Sequence, residues 1–206
     1  MDIFEVINTQ RAIRRLKPDP VPVPDELIWK LLDAAVKAPS GGNRQPWNFI
    51  VIRDAETKAK IAEWYLDGWN TAYGPFRQAA MASPAIAKTY ASADRLANHL
   101  AEVPVLIMVT LDPARVAPVT PPGANVFPAV QNLLLAARAL GLGATLTTVY
   151  RTHETEVKQL LGIPDGVETM ALIPIGYPAG KFGPVAMRLP AESVTYWEKW
   201  GEARGR

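Results

Sequence analysis

The chain has 206 residues, about half of them apolar and a fifth charged, with a formal net charge of +2 and no cysteine. That length can bury a core without cross-links, and a single domain over residues 1–206 accounts for it. The missing cysteine excludes disulfides, thiolate nucleophiles and Cys-ligated metal or iron–sulfur centres, and the small net charge argues against a general nucleic-acid binder.

Residues 2–9 read as a short helix running into a basic cluster, Arg11, Arg14, Arg15 and Lys17. Pro18, Pro20, Pro22 and Pro24 then enforce an extended connector, because alternating prolines cannot continue a helix. Pro24 suits the first turn of the next helix, with Asp25 and Glu26 at its positive end. Leu27, Leu31 and Ala35 form one stripe of that helix and Ile28, Leu32 and Val36 the next, up to a stop at Pro39. The stretch Pro39-Ser40-Gly41-Gly42-Asn43 is a loop on composition.

A short apolar strand is expected over 49–52, then a helix over 55–71 carrying Trp64 and Trp69. Residues 73–101 predict helical pieces broken at Pro75 and Pro84. A buried strand follows over 103–111, with Pro104 at its start, where a missing donor is tolerated. After a loop over 118–123, residues 125–140 form the most apolar helix, closed by Gly141 and Gly143. Gln131, Asn132 and Arg138 make that segment a poor membrane span and a good buried helix. Residues 144–149 predict a strand, Thr152 caps a helix ending at Leu161 and Gly162, and 170–176 predict another strand. The irregular tail, 177–206, carries Trp197 and Trp200, whose size argues for packing, for instance onto a partner subunit. Four strands among five or six helices point to an α+β or α/β sandwich. No apolar run opens residues 1–10, so a cytoplasmic protein is expected.

Two segments suit chemistry. Arg11 and Arg14 lie three apart, so on a helical or turn backbone they face one way and can clamp an oxyanion; the plainer reading is a solvated basic helix end. Ala38-Pro39-Ser40-Gly41-Gly42-Asn43-Arg44-Gln45-Pro46-Trp47 pairs glycines, which let a backbone approach a ligand, with Ser40, Asn43 and Gln45, whose polar groups suit a heterocycle. Other signals are rejected. The glycines at 141 and 143 close a helix and open a strand, the reverse of a dinucleotide fingerprint. No G-x-S-x-G elbow exists, His99 and His153 read as surface histidines, and no metal-ligand spacing is present.

Taken together, these segments resemble the nitroreductase family of FMN-dependent flavoenzymes. The resemblance runs from the Arg-rich segment through Ala38–Trp47 and Glu102-Val103-Pro104-Val105-Leu106-Ile107. It continues through Gln131–Gly143 and Ile175-Gly176-Tyr177-Pro178 to Arg188-Leu189-Pro190. It implies an α+β fold, with a central mixed β-sheet flanked by helices. It also implies an intertwined homodimer with two flavin sites at the interface, the long apolar helix at the dimer core and the C-terminal tail exchanged between subunits.

The site roles are implied in the same way. Arg11 and Arg188 hold the FMN phosphate. Arg14 sits by the flavin's N1 and C2 carbonyl edge, where a cation favours the reduced anion. Pro39, Ser40, Gly41, Gly42 and Asn43 line the ring, with Gln45 supporting the loop, and Thr148 and Val149 offer backbone amides near N5 and O4. Many relatives read Arg-Arg-Ser where this chain has Gln10-Arg11-Ala12, so one cation and one hydroxyl are missing. The implied reaction is ping-pong: NAD(P)H reduces the flavin at N5, and a nitroaromatic, quinone or similar acceptor reoxidises it. No catalytic side chain is required. The alternatives are another flavin reaction on the same scaffold (reductive dehalogenation, flavin fragmentation or dehydrogenation) and a flavin-binding protein without turnover. The expected partners are a second copy of the chain and a small-molecule substrate, with no nucleic acid and no membrane.

Overall fold

The computed structural model describes residues 1–17, 21–117, 119–185 and 187–205; Pro18, Pro20 and Pro118 of the expected connector and loop, and the last residue of the tail, lie outside them. Seven helices are found among the described residues: α1 (Ile3–Thr9), α2 (Asp25–Ala35), α3 (Ala55–Tyr73), α4 (Arg77–Ala82), α5 (Ala87–Asn98), α6 (Pro122–Ala139) and α7 (Glu154–Leu161). Four strands accompany them, β1 (Trp47–Ile52), β2 (Val105–Leu111), β3 (Gly143–Ala144) and β4 (Glu168–Gly176), in the spatial order β1-β2-β4-β3.

β2 explains the layering. Every residue of it is buried, and period-2 alternation sends them to opposite faces. Val105, Ile107, Val109 and Leu111 pack with α2 and α6 on one face. Leu106 and Met108 pack with Ile61 and Tyr65 of α3 and Leu96 of α5 on the other. The α+β class stands, with helices on both faces of the sheet. Every strand pairing among the described residues is antiparallel, so one chain does not hold the mixed sheet expected from the sequence.

The helix boundaries follow the sequence signals. Asp54 accepts the Thr57 N–H at 2.8 Å and starts α3. Gly162, at φ 63°, ends α7 in the left-handed conformation that glycine adopts without strain. Two expectations fail. The strand expected over 144–149 pairs only at Gly143–Ala144 and through an isolated bridge from Thr147 to Leu172, then turns into the 3-10 segment Val149–His153. The Thr147 and Tyr65 hydroxyls share a hydrogen bond of 2.8 Å at that bridge. Thr152 does not cap α7; its hydroxyl donates to the Val149 carbonyl at 3.2 Å, and the helix begins at Glu154.

The first part of the tail packs against its own chain, with Val185 N–H donating to the Asn8 carbonyl at 2.8 Å and Phe182 under Arg138, but residues 187–205 are all exposed. Trp200 is 90% exposed, and Leu189, Val194 and Trp197 are exposed with it. No helix among the described residues is long and apolar enough to cross a membrane.

Candidate functional site

The segment after α1 is extended, because Gln10 closes the helix in a β conformation. It then runs beside the β3 edge and the exit of β4. The Ile13 N–H donates to the Ala144 carbonyl at 3.0 Å, Lys17 N–H to Tyr177 O at 2.9 Å, and Ala179 N–H to Arg15 O at 3.0 Å. This corrects the reasoning offered for Arg11 and Arg14. No helical face presents them; an extended segment braced on the sheet edge does.

These ties form one wall of an open groove of about 680 Å³. Arg11, Arg14 and Arg188 all line it, joined by Arg15, Lys88 and Lys181. No carboxylate lines it among the described residues. The side chains of Arg11, Arg14, Arg15, Lys88 and Lys181 have no hydrogen-bond or ion-pair partner among those residues either. Six cations therefore converge in a protein whose formal net charge is +2.

Arg14 is the most constrained of them. Burial pulls its pKa below the ordinary guanidinium value, and the Tyr65 hydroxyl opposes that shift. Tyr65 is only 3% exposed. Burial pushes its own pKa up, against the effects of its hydrogen bond to Thr147, 2.8 Å long, and of Arg14. A guanidinium stays charged under such a shift, so Arg14 is a desolvated cation lacking an acceptor.

Through Tyr65 and Thr147, Arg14 is linked to the exposed Thr148 and half-buried Val149. The Val149 carbonyl lies so close to α3 that a methyl group on Gly68 would approach it to 2.7 Å. Glycine at 68 is thus what lets the 149–153 turn sit directly on the helix.

The loop that begins at Pro39 is built separately. The Gly41 N–H donates to Asn125 Oδ1 at 2.8 Å, and Asn125 is fully buried on α6. A methyl group on Gly41 would lie 2.9 Å from Thr120 Oγ1, so the residue must be glycine. Ser40 Oγ accepts the Gln45 N–H at 3.0 Å, and Gln45 Nε2 donates to the Asn43 carbonyl at 3.3 Å. Arg115 donates to the Gln45 carbonyl and to Asn48 Oδ1, both at 2.8 Å. Gly42, Asn43 and Gln45 all have positive φ, at 59°, 53° and 49°. Such a run is held only where neighbours over-determine it. Its outer residues, Pro39, Gly42, Asn43 and Gln45, face solvent.

The loop and the groove do not meet within one chain. Trp47 is paired with Leu111 at one end of β1, the first strand of the sheet, whereas Ala144, which holds Ile13, pairs with Ile175 opposite Val105. Three strand spacings across and six residues along the sheet put these corners on the order of 20 Å apart. The loop's ties, to Arg115, Thr120 and Asn125, hold it at its own corner.

Tyr65, Lys88, Thr89, Ser92 and Lys181 were not anticipated. Lys88, Thr89 and Ser92 fall within 73–101, where the sequence shows helix but not which face meets the arginines. The two histidines lie apart from the groove lining, each against a carboxylate: His99 Nδ1 is 2.7 Å from Glu102 and His153 Nε2 is 2.8 Å from Asp67.

This arrangement is that of a known family. The nitroreductase family profile matches residues 7–177. A Methanothermobacter thermautotrophicus protein named as an NADH dehydrogenase/NAD(P)H nitroreductase is 34% identical over 183 residues, covering 87% of this chain and 78% of that protein. Among solved structures, an NADH dehydrogenase/NAD(P)H nitroreductase from Parabacteroides distasonis superposes with a TM-score of 0.70 at 28% identity, covering 96% and 98% of the two chains. An iodotyrosine deiodinase bound to FMN and 3-iodo-L-tyrosine superposes with a TM-score of 0.71 at 26% identity, covering 92% and 96%. The chain belongs to the nitroreductase family, a family of oxidoreductases.

Proposed function

We propose that the protein is a homodimeric, FMN-dependent oxidoreductase that draws reducing equivalents from NADH or NADPH and delivers them to a small oxidised organic acceptor, of the nitroaromatic or quinone kind. The observation that carries this reading is the convergence of Arg11, Arg14 and Arg188 on one carboxylate-free groove. When bound, FMN supplies the redox chemistry, taking a hydride equivalent from the nicotinamide and yielding it to the acceptor.

The residues fit that group. Arg11 and Arg188 offer forked donors to a phosphate monoester, and the extended backbone between Gln10 and Lys17 fixes Arg11 on the groove. Arg14 supplies the acceptor-hungry cation for the pyrimidine edge of the ring, where it stabilises negative charge. Thr148 and Val149 offer backbone amides beside it. Pro39, Ser40, Gly41, Gly42 and Asn43 line the ring plane, with Gln45 bracing them.

A second copy is what this reading requires to bring the loop and the groove together. A loop on the order of 20 Å from the groove reaches it only as the loop of a twofold-related partner, and the same symmetry makes two sites. The exposed apolar surface of the tail and α1, with Phe4 and Trp200 outermost, is what a partner would cover. We extend the reading to a tail exchanged between the two copies and to a single domain over residues 1–206.

The test is a visible spectrum of the purified protein followed by anaerobic titration with NADH and NADPH. The reading predicts a yellow dimer whose flavin absorbance is bleached by either donor. A colourless protein that takes up no added FMN sinks it. The likeness to a deiodinase supports a second reading, reductive dehalogenation. Iodide release from 3-iodo-L-tyrosine by the reduced protein, with nitro and quinone acceptors turned over slowly, would favour it.

A further inference from the structure

The groove carries more positive charge than the flavin's phosphate requires. A phosphate monoester bears about −1.5 to −2 charge at neutral pH. Arg11 and Arg188 together match that charge, and Arg14 belongs to the ring edge. Arg15, Lys88 and Lys181 remain, all exposed and all lining the same groove. They come from three separate parts of the chain: the extended N-terminal segment, α5, and the stretch after β4. A solvated helix face would put surplus cations on one element; here three elements deliver them to one place.

α5 contributes more than charge. Lys88, Thr89 and Ser92 all line the groove. Spaced one, three and four residues apart, they share one face of the helix. One ammonium and two hydroxyls make a donor set for phosphate oxygens. No carboxylate lines this groove among the described residues, so nothing there repels a further phosphate.

We infer that Lys88, Thr89 and Ser92, with Arg15 and Lys181, form a second phosphate subsite that takes the 2′-phosphate of a nicotinamide nucleotide, making NADPH rather than NADH the preferred reductant. The inference rests on the proposed oxidoreductase reading and narrows its reductant. Lys88, Thr89 and Ser92 sit on a rigid helix and orient the phosphate; Arg15 and Lys181 supply long-range attraction that salt will screen.

The test is calorimetric binding of NADP+ and NAD+ to the FMN-supplemented protein, with FMN content measured by absorbance. The wild type is expected to bind NADP+ about tenfold more tightly than NAD+, with the ratio shrinking as salt rises. Lys88→Ser with Lys181→Ser is expected to bring the ratio to within about threefold of unity, and Lys88→Glu to push it below unity by repulsion. Equal binding of the two nucleotides by the wild type overturns the inference. So does a ratio unmoved in all the variants, including the case where the lysine substitutions lower FMN content alone, since those lysines would then serve the flavin's phosphate. A protein that takes up no FMN yet shows the lysine-dependent NADP+ preference upholds this inference and sinks the flavin reading instead.

Discussion

The groove and the Pro39–Gln45 loop solve opposite problems with the same chain. The groove gathers cations from distant parts of the sequence and leaves five of them without partners among the described residues. The loop satisfies its own polar groups through Asn125, Arg115 and Ser40, and its ordered outer surface faces solvent. One region is charged and unmet; the other is internally bonded and outward-facing. On the proposed reading, the difference means that a single chain prepares two half-sites, with affinity for an anion in the first and shape for a flat heterocycle in the second.

The largest expected effect breaks the first half. Arg11→Ala combined with Arg188→Ala removes two charge-assisted contacts from the phosphate, and FMN affinity should fall by about 10²-fold or more, measured by fluorescence titration. Melting temperature without FMN should hardly move, because Arg11 and Arg188 are exposed. A comparable change at the loop should act through shape instead. Asn125→Ala frees the buried Gly41 N–H, which costs about 1–3 kcal/mol of stability by thermal melting and weakens FMN about tenfold. If Asn125→Ala lowers stability and leaves FMN binding intact, the loop has no part in the site.

A smaller effect concerns the backbone that carries the Thr148–Val149 amides. Tyr65→Phe deletes the hydroxyl that bonds Thr147, leaving the buried ring in place. Stability should drop by about 1 kcal/mol and FMN affinity by about threefold, through the loosened 147–149 backbone. The flavin's reduction potential, read by potentiometry, should move little, because Tyr65 meets Arg14 through space and not through a hydrogen bond.

The smallest effect concerns the far end of the 149–153 turn. The Asp67 hydrogen bond raises the His153 pKa above its ordinary value, with Glu156 adding to it. A raised histidine stabilises the fold fully below its unfolded value of about 6.5 and loses that contribution as pH rises through the higher folded value. Asp67→Asn should therefore lower the melting temperature slightly at pH 6 and not at pH 8.5. Equal effects at both pH values would mean that His153 is neutral in the fold.

Much of this was legible in residue types. The two-faced burial of β2, the Gly162 stop and the breaks at Pro75 and Pro84 follow from local chemistry. The part played by Arg11 was legible only as a cation in a cluster; its presentation depends on hydrogen bonds to Ala144 and Tyr177, which are remote in sequence. Lys88 and Lys181 escaped notice because exposed lysines are common and nothing local says which ones share a groove. The short β3 departs from the strand expected over 144–149 because that stretch has strand composition, while the turn at Val149–His153 seats on α3 at Gly68, a contact remote in sequence. The tail's tryptophans promise packing, yet among the described residues Trp197 and Trp200 stay exposed; the proposed dimer would cover them with the partner.

The claim that each site is shared between two copies can be tested by subunit complementation. Arg11→Ala breaks the groove and leaves the loop whole; Gly42→Val strains the loop at φ 59° and leaves the groove whole. Each variant alone should hold little FMN. Heterodimers carrying one of each, isolated by two affinity tags, should regain about one FMN per two chains, because the intact groove of one then faces the intact loop of the other. Heterodimers as empty as both parents would contradict the account, since that result requires groove and loop to act within the same chain.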